Sequence, residues 1–487
     1  MHVLIASSEI APYAKTGGLG DVMSSLPPAL ARLGVDVSLV MPAYASVVNG
    51  GYSFDVQDLH VSVPISKGHE TAELLKSRTA DGIPIYFVRS DRYYDREYLY
   101  GTPDGDYPDN ARRFTFFSRA ILELANLLKP SIIHANDWQS SMALAFLRAQ
   151  PERYPQLAST RTVLTVHNLG YQGRFRAAEW PILNLDSKLF TPGHLEFYGD
   201  INFLKGGIVF ADGITTVSPT YAEEIKSAEQ GFGLEGVFQE RSSRLFGILN
   251  GVDYRIWNPA SDAMIAANYD ATNTDGKSEC AADLRSYFRL DKAAKAPIVG
   301  MVTRLSAQKG LDLVLDSFDD LLSRDCDFTL LGSGDRRLQD AFKQLVVRHK
   351  GRVGIEIGFS ESVAHKITAG SDILLMPSRY EPGGLTQLYG LKYGAIPVVR
   401  ATGGLKDTVV PFDVKTGLGN GFLFSSFDSS SLISALDSAL EVFQNEKAWA
   451  RLLRNAMLSD FSWDRSAREY LDVYTKISRL PADANKQ

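Results

Sequence analysis

The chain has 487 residues, 45% of them hydrophobic and 22% charged, with a formal net charge of −6. That length is too great for one hydrophobic core and implies two or three domains, the ordinary composition excludes a disordered or fibrous chain, and the acidic balance speaks against a nucleic-acid binder. Two cysteines, Cys280 and Cys326, exclude a disulfide framework, no Cys/His group has zinc spacing, and neither a signal peptide nor a membrane-length apolar run is present, so a cytoplasmic location is expected.

Residues 2–7 form a short apolar, partly β-branched run that reads as a buried strand. It leads into AKTGGLGDVM (14–23), and residues 19–33 are helical material stopped by Gly34. Pro27 and Pro28 should kink or divide that helix. Residues 35–40 alternate as a second strand, which puts Gly17, Gly18 and Gly20 in the strand-to-helix turn of a βαβ unit. The Walker A order fails because Lys15 precedes the glycines, and the dinucleotide fingerprint fails because position 23 is Met. Two readings stand at this point: a turn whose glycines serve packing, and bare backbone that lets an anion approach a helix N-terminus.

Further along, 112–128 and 139–149 read as helices, with strands at 131–134, 161–166, 213–217 and 245–249. Residues 258–296 read as a connecting region with one helix near 281–288. A second series follows, with strands at 297–303, 328–331, 353–357, 373–376 and 396–399. Helices lie from about 311, at 362–369 and at 385–393, and three more occupy the tail near 429–443, 446–458 and 464–478. Alternation of this kind means parallel sheets covered on both faces, here two doubly wound α/β domains. Ligands of such domains bind at the carboxyl ends of the strands, expected here in the crevice between the domains.

Polar residues collect at those ends. Arg304 and Lys309, in RLSAQKG (304–310), stand at a strand end and a helix start and suit a diphosphate, Arg as a bidentate fork and Lys as a point charge; for a lone pair of this kind a solvated loop is the more usual reading. In YEPGGLTQLYG (380–390), Glu381 precedes Gly383 and Gly384, whose amides with those of Leu385 and Thr386 make a second anion cradle. Glu381 can accept from sugar hydroxyls or stabilise positive charge at a sugar carbon. His167, in TVHNLGYQG (165–173), is a lone strand-end histidine, a type more often structural than catalytic. Asp137 beside Trp138 is weak evidence alone, and 95–110 is a Tyr/Asp/Gly-rich loop long enough to be functional.

Taken together, KTGGLGDV (15–22), NDW (136–138), HN with YQG (167–173), NGVD (250–253), RLSAQKG and EPGGLTQLYGLKYG (381–394) resemble the bacterial glycogen synthase and plant starch synthase family, from residue 2 to about residue 465. The resemblance implies the GT-B fold, two Rossmann-like domains facing each other across a deep cleft, residues 1–249 with 462–487 on the glucan side and 250–461 on the donor side. It implies a retaining glucosyltransferase that moves glucose from ADP-glucose to the nonreducing 4-hydroxyl of an α-1,4-glucan and releases ADP, with no cofactor or metal, no nucleic acid and no membrane. In family terms Lys15 and the Gly17, Gly18 and Gly20 backbone meet the donor, and Asp21 orients the glycine turn or touches the acceptor. Arg304 and Lys309 hold the diphosphate, Glu381 contacts the glucose, and the amides of Gly384, Leu385 and Thr386 cap the distal phosphate. Phe359 lies against adenine, and Asp137, His167 and Asn250 line the sugar pocket. Three positions depart from the family pattern: Asn136 and Gln139, where relatives often carry His, and Gly383, where many carry Cys. A UDP-glucose enzyme of the same fold, a glucan-binding protein without activity and a Rossmann oxidoreductase are the alternatives.

Overall fold

The computed structural model describes residues 1–55, 59–102, 104–291 and 295–481. Pro103 of the 95–110 loop, 292–294 of the connecting region and 482–487 of the first domain's range lie outside the described residues. The chain divides into two compact units, Met1–Gly251 with Trp463–Gln487, and Val252–Ser462. Asn250, numbered with the donor-side domain in the sequence reading, therefore belongs to the first unit.

The first unit is built on a nine-stranded sheet. Its strands are β1 (His2–Ala6), β2 (Asp36–Pro42), β3 (His60–Ile65), β4 (Gly68–Arg78), β5 (Pro84–Arg89), β6 (Ile132–Asn136), β7 (Arg161–Val166), β8 (Gly213–Thr216) and β9 (Leu245–Gly247), in the order β9-β8-β7-β6-β1-β2-β5-β4-β3. The strands from β9 to β5 in that order pair in parallel. β3, β4 and β5 pair antiparallel, so the sheet is mixed rather than wholly parallel. The hairpin turns at Ser66, which takes a left-handed φ of 54°. Side chains alternate along it, Val61 and Val63 buried with His60 and Ser62 exposed, the pattern of an edge with one wet face.

The glycine-opened helix Gly18–Arg32 runs through Pro27 and Pro28 without being divided. Both prolines, with Leu26, Ala29 and Leu30, are buried, and that packing outweighs the lost backbone bonds. Helix Asp275–Phe288 begins six residues earlier than the sequence suggests, and β9 ends two residues sooner.

The second unit has a wholly parallel six-stranded sheet: β10 (Ile298–Val302), β11 (Asp327–Gly332), β12 (Val353–Ile357), β13 (Ile373–Met376), β14 (Ile396–Arg400) and β15 (Phe422–Phe424), in the order β12-β11-β10-β13-β14-β15. In each sheet the order reverses once beside its first strand: between β1 and β6 in one, between β10 and β13 in the other. At such a switch point the loops leaving the two strands part to opposite faces and open a crevice at the carboxyl ends.

The last helix, Trp463–Ser478, packs into the first unit's core through Trp463, Ala467, Tyr470, Tyr474 and Ile477. Tyr474 Oη lies 2.8 Å from Nδ1 of His134, a fully buried ring on β6 whose Nε2 lies 2.6 Å from Thr165 Oγ1. Burial pushes the ring from 6.5 down to about 3. Between those values only the unfolded chain binds the proton, so this contribution is complete above pH 6.5 and is lost as pH falls towards 3. The expected slope is up to about 1.4 kcal/mol per pH unit. Urea unfolding at about pH 7 and about pH 5 should show the lower stability in acid, and His134→Gln should flatten the difference.

Candidate active site

The residues at both switch points are the ones with chemical character. In the first unit β1 ends at Ala6 and continues to Glu9, and β6 ends at Asn136 and continues to Asp137. Glu9 is 4% exposed. Its carboxylate accepts from Thr16 N–H (2.6 Å), Thr16 Oγ1–H (2.6 Å), Gly17 N–H (3.3 Å) and Tyr100 O–H (2.8 Å). An internal carboxylate thus occupies the first amides of the glycine turn, which corrects the idea that the whole Gly17–Gly20 backbone is open to a donor. The amides beyond, at Gly18, Leu19 and Gly20, open the helix, where the first N–H groups lack intrahelical acceptors. Gly20 packs closely: a Cβ there would lie 3.1 Å from the Lys15 side chain. Lys15 Nζ pairs with Asp21 at 2.6 Å, so Asp21 aims the lysine. Glu9 and Tyr100 were not among the sequence candidates; the position of Glu9 after the first strand was the available signal.

Asp137 opens helix Asp137–Ala149 with a left-handed φ of 54°, a conformation that costs about 1–3 kcal/mol and gathers at functional sites. Its Oδ1 accepts from the His167 amide at 2.7 Å. Burial raises its pKa from 3.8 to about 7, opposed by amide hydrogen bonds from His167 and Asn168. Asn136 donates Nδ2–H to Ala6 O, which turns its Oδ1 towards His167 Nε2 at 2.9 Å. That nitrogen therefore carries the proton and Nδ1 is the acceptor side of the ring. Burial lowers His167 to about 3, so the ring is neutral near pH 7. The Asn136 departure is accounted for: it fixes the histidine. Gln139 is buried, and its Oε1 has no partner among the described residues. Asn250 is buried past the end of β9, two strands beyond β7 and so roughly 10 Å along the sheet from His167; its Oδ1 is likewise unpaired among the described residues.

In the second unit β10 leads into Arg304 and β13 leads into Ser378 and Glu381. Lys309 Nζ reaches both oxygens of Glu381, at 2.8 and 2.6 Å, and Ser378 Oγ–H donates to the second at 2.8 Å. Glu381 is 5% exposed. The two residues given separate tasks on sequence form one part-buried ion pair, which leaves the third ammonium proton for a ligand. Arg304 is exposed, with Nη2 3.5 Å from Gln308 Oε1. Its loop lies against Gly332 and Gly334, where a Cβ would come within 2.0 Å of Thr303 O and 2.3 Å of Leu305 O.

Gly384, at φ 62°, leads to helix Thr386–Tyr393, whose N-cap is Leu385, so the three residues whose amides were assigned to a phosphate stand at a helix start. The 381–384 segment is braced from behind, since the Gly404 amide donates to Glu381 O and Pro382 O, each at 3.0 Å. Phe359 follows β12, two strands from β10, and is 83% exposed. No group of three or more His, Cys, Asp or Glu positioned for a metal occurs among the described residues, and no described helix is long and apolar enough to cross a membrane.

Residues 2–240 match the family described as starch synthase catalytic domain, and residues 285–455 match glycosyl transferases group 1. Over 483 residues the sequence is 44% identical to glycogen synthase of Koribacter versatilis, covering 99% of each chain, and over 484 residues it is 43% identical to glycogen synthase of Thermotoga maritima, covering 98% and 99%. The chain belongs to the glycogen and starch synthase family. Its function is accordingly that of a glycogen or starch synthase, a glycosyltransferase of GT-B fold. The structure is similar to the catalytic domain of starch synthase IV from Arabidopsis thaliana, solved with ADP and acarbose, with a TM-score of 0.88, 34% identity and coverage of 98% and 99%. A sucrose-phosphate synthase from Thermosynechococcus elongatus, at 17% identity and a TM-score of 0.59, shares the fold.

Two outcomes are expected from this geometry. Asp137→Asn keeps an acceptor and tolerates the left-handed backbone. The native carboxyl, raised from 3.8 to about 7, holds its proton more tightly than the unfolded one, so its ionisation costs stability as pH rises through that window. The variant should gain at least roughly 2 °C in thermal midpoint near pH 8 and nothing near pH 4, while losing activity. Gly404→Ala drives a Cβ to 2.0 Å from Gly383 O and should cost about 1–3 kcal/mol in chemical denaturation, with weaker nucleotide binding by calorimetry.

Proposed function

We propose that this synthase uses ADP-glucose and adds its glucosyl group, with retention, to the nonreducing 4-hydroxyl of an α-1,4-glucan, releasing ADP in the cytoplasm without a cofactor or metal. The observation that carries the reading is the pairing of Lys309 with Glu381 beside the Gly384–Thr386 amides. A departing diphosphate gains negative charge. Arg304, the remaining proton of Lys309 and the helix-start amides supply fixed positive potential where that charge grows, which is the differential stabilisation that lowers a barrier. Glu381, already neutralised by Lys309, accepts hydrogen bonds from glucose hydroxyls without adding net charge, and exposed Phe359 offers a face for the adenine.

On the other unit, His167 accepts a sugar hydroxyl at Nδ1, and Asp137, titrating near 7, exchanges hydrogen bonds with the transferred sugar. Lys15, steered by Asp21, and the amides of Gly18 and Gly20 meet the donor. The solved starch synthase IV domain, with ADP and acarbose bound, supports both the donor nucleotide and the acceptor class. Attack from the face the leaving group departs, with the leaving phosphate taking the acceptor proton, accounts for retention; a covalent glucosyl adduct on Asp137 or Glu381, sought by mass spectrometry of the trapped enzyme, would overturn it.

The deciding experiment measures nucleotide release from ADP-glucose and UDP-glucose, each with and without glycogen. Glycogen-dependent ADP release is expected, reduced about 10²–10³-fold in kcat by Arg304→Ala or Lys309→Ala, and abolished in Lys15→Ala and Glu381→Ala. Release from UDP-glucose alone would replace the donor. Release from neither, with folded protein, would leave a glucan-binding protein.

A further inference from the structure

Seven residues other than glycine take a left-handed backbone among the described residues, and two of them are aromatic: Tyr198 and Phe232. Both are followed by a glycine that is also left-handed, Tyr198–Gly199 at φ 52° and 84°, and Phe232–Gly233 at φ 51° and 83°. Positive φ at two successive central residues is the turn form that favours Asn, Asp or Gly first. Tyr198–Gly199 is such a two-residue hairpin loop, since Phe197 pairs with Asp200 across it. An aromatic residue there strains the backbone, although the Tyr198 ring packs edge-on against Phe197 at 4.7 Å, and a strain of this kind points to use.

The two tips meet. A Cβ on Gly233 would lie 2.9 Å from Phe197 Cζ and 3.2 Å from Tyr198 Cε2. Gln172 ties in a third segment: it donates to Phe232 O and Leu169 O, each at 3.2 Å, and accepts from buried Asn202 Nδ2 at 2.6 Å. The neighbour of Gln172 is Tyr171. Tyr198, Tyr171 and Phe232 are 74%, 53% and 39% exposed, on three segments that these contacts join. The Tyr171 segment leads directly out of the site. Tyr171 closes a turn on Asn168 and lies at most about 14 Å of chain from His167, which bonds Asp137 through its amide.

We propose that Tyr171, Tyr198 and Phe232 form a stacking platform for the body of an α-glucan chain whose nonreducing end lies at Asp137 and His167. The inference rests on the glucan-elongating reading of that site. The chemistry fits the occupant. A glucopyranose ring presents C–H groups on its faces and hydroxyls around its rim. Exposed aromatic faces take the first, and the Tyr hydroxyls with flanking Arg174, Asp200 and Glu196 take the second. Tips fixed by paired positive-φ turns hold the rings in place before the chain arrives, which reduces the ordering cost of binding. The platform acts on long acceptors and is idle with short ones.

The test replaces each tip aromatic with the residue its backbone prefers, Tyr198→Asn with Phe232→Asn. The double variant should raise KM for glycogen about tenfold, leave the rate on maltose within about twofold, and migrate faster than the parent through a glycogen-containing native gel without donor. Its thermal midpoint should be equal or higher, because Asn relieves the backbone strain. Unchanged KM and unchanged gel mobility would overturn the platform. A changed sedimentation coefficient would also overturn it, by showing that the patch covers a second copy of the chain. A parent enzyme that releases no nucleotide on glycogen would instead overturn the functional reading on which the platform rests.

Discussion

Parallel strands send all their carboxyl ends to one side, and where their order reverses the two departing loops go to opposite faces. That topological constraint places Glu9, Asp137, Arg304 and Glu381. In the first unit it sets Glu9 and Asp137 on the two lips of one crevice, after β1 and β6. In the second it sets Arg304 and Glu381 on the lips of another, after β10 and β13.

Three carboxylates sit at these lips, and each is managed differently. Glu9 is satisfied by the amides of the glycine turn and by Tyr100, so it is a brace. Glu381 is neutralised by Lys309 and steadied by Ser378, so it can face a sugar without repelling a diphosphate. Asp137 is held by the amides of His167 and Asn168, and its burial lifts it towards neutrality. In each unit the negative charge at the strand ends is thus either tied up or titratable.

Much of this was legible in the residues. Period-two and helical runs marked the elements that define both switch points, and strand-end polar residues marked Asp137, His167, Arg304 and Glu381. What escaped reading was what depends on long-range pairing. The Lys309–Glu381 bond joins residues 72 apart, and the Glu9–Tyr100 bond joins residues 91 apart. The role of Asn136 as the holder of His167 required the β6–β7 register. Pro27 and Pro28 misled because burial of the helix face outweighs a local rule, and the β3–β4 hairpin was missed because its turn, Ser66–Lys67, lacks the glycine that normally announces one.

The helix Trp463–Ser478 supplies buried aromatic surface to a core whose other elements all precede Gly251. On the ribosome, therefore, the first unit emerges long before its own last element exists, and some two hundred residues of the second unit must be synthesised in between. The second unit, Val252–Ser462, is contiguous and can fold as it emerges. The order of maturation is thus the reverse of the order of synthesis: the half that is made first is finished last, and until then it carries an open groove lined by His134 and Thr165 that chaperones are well suited to shield.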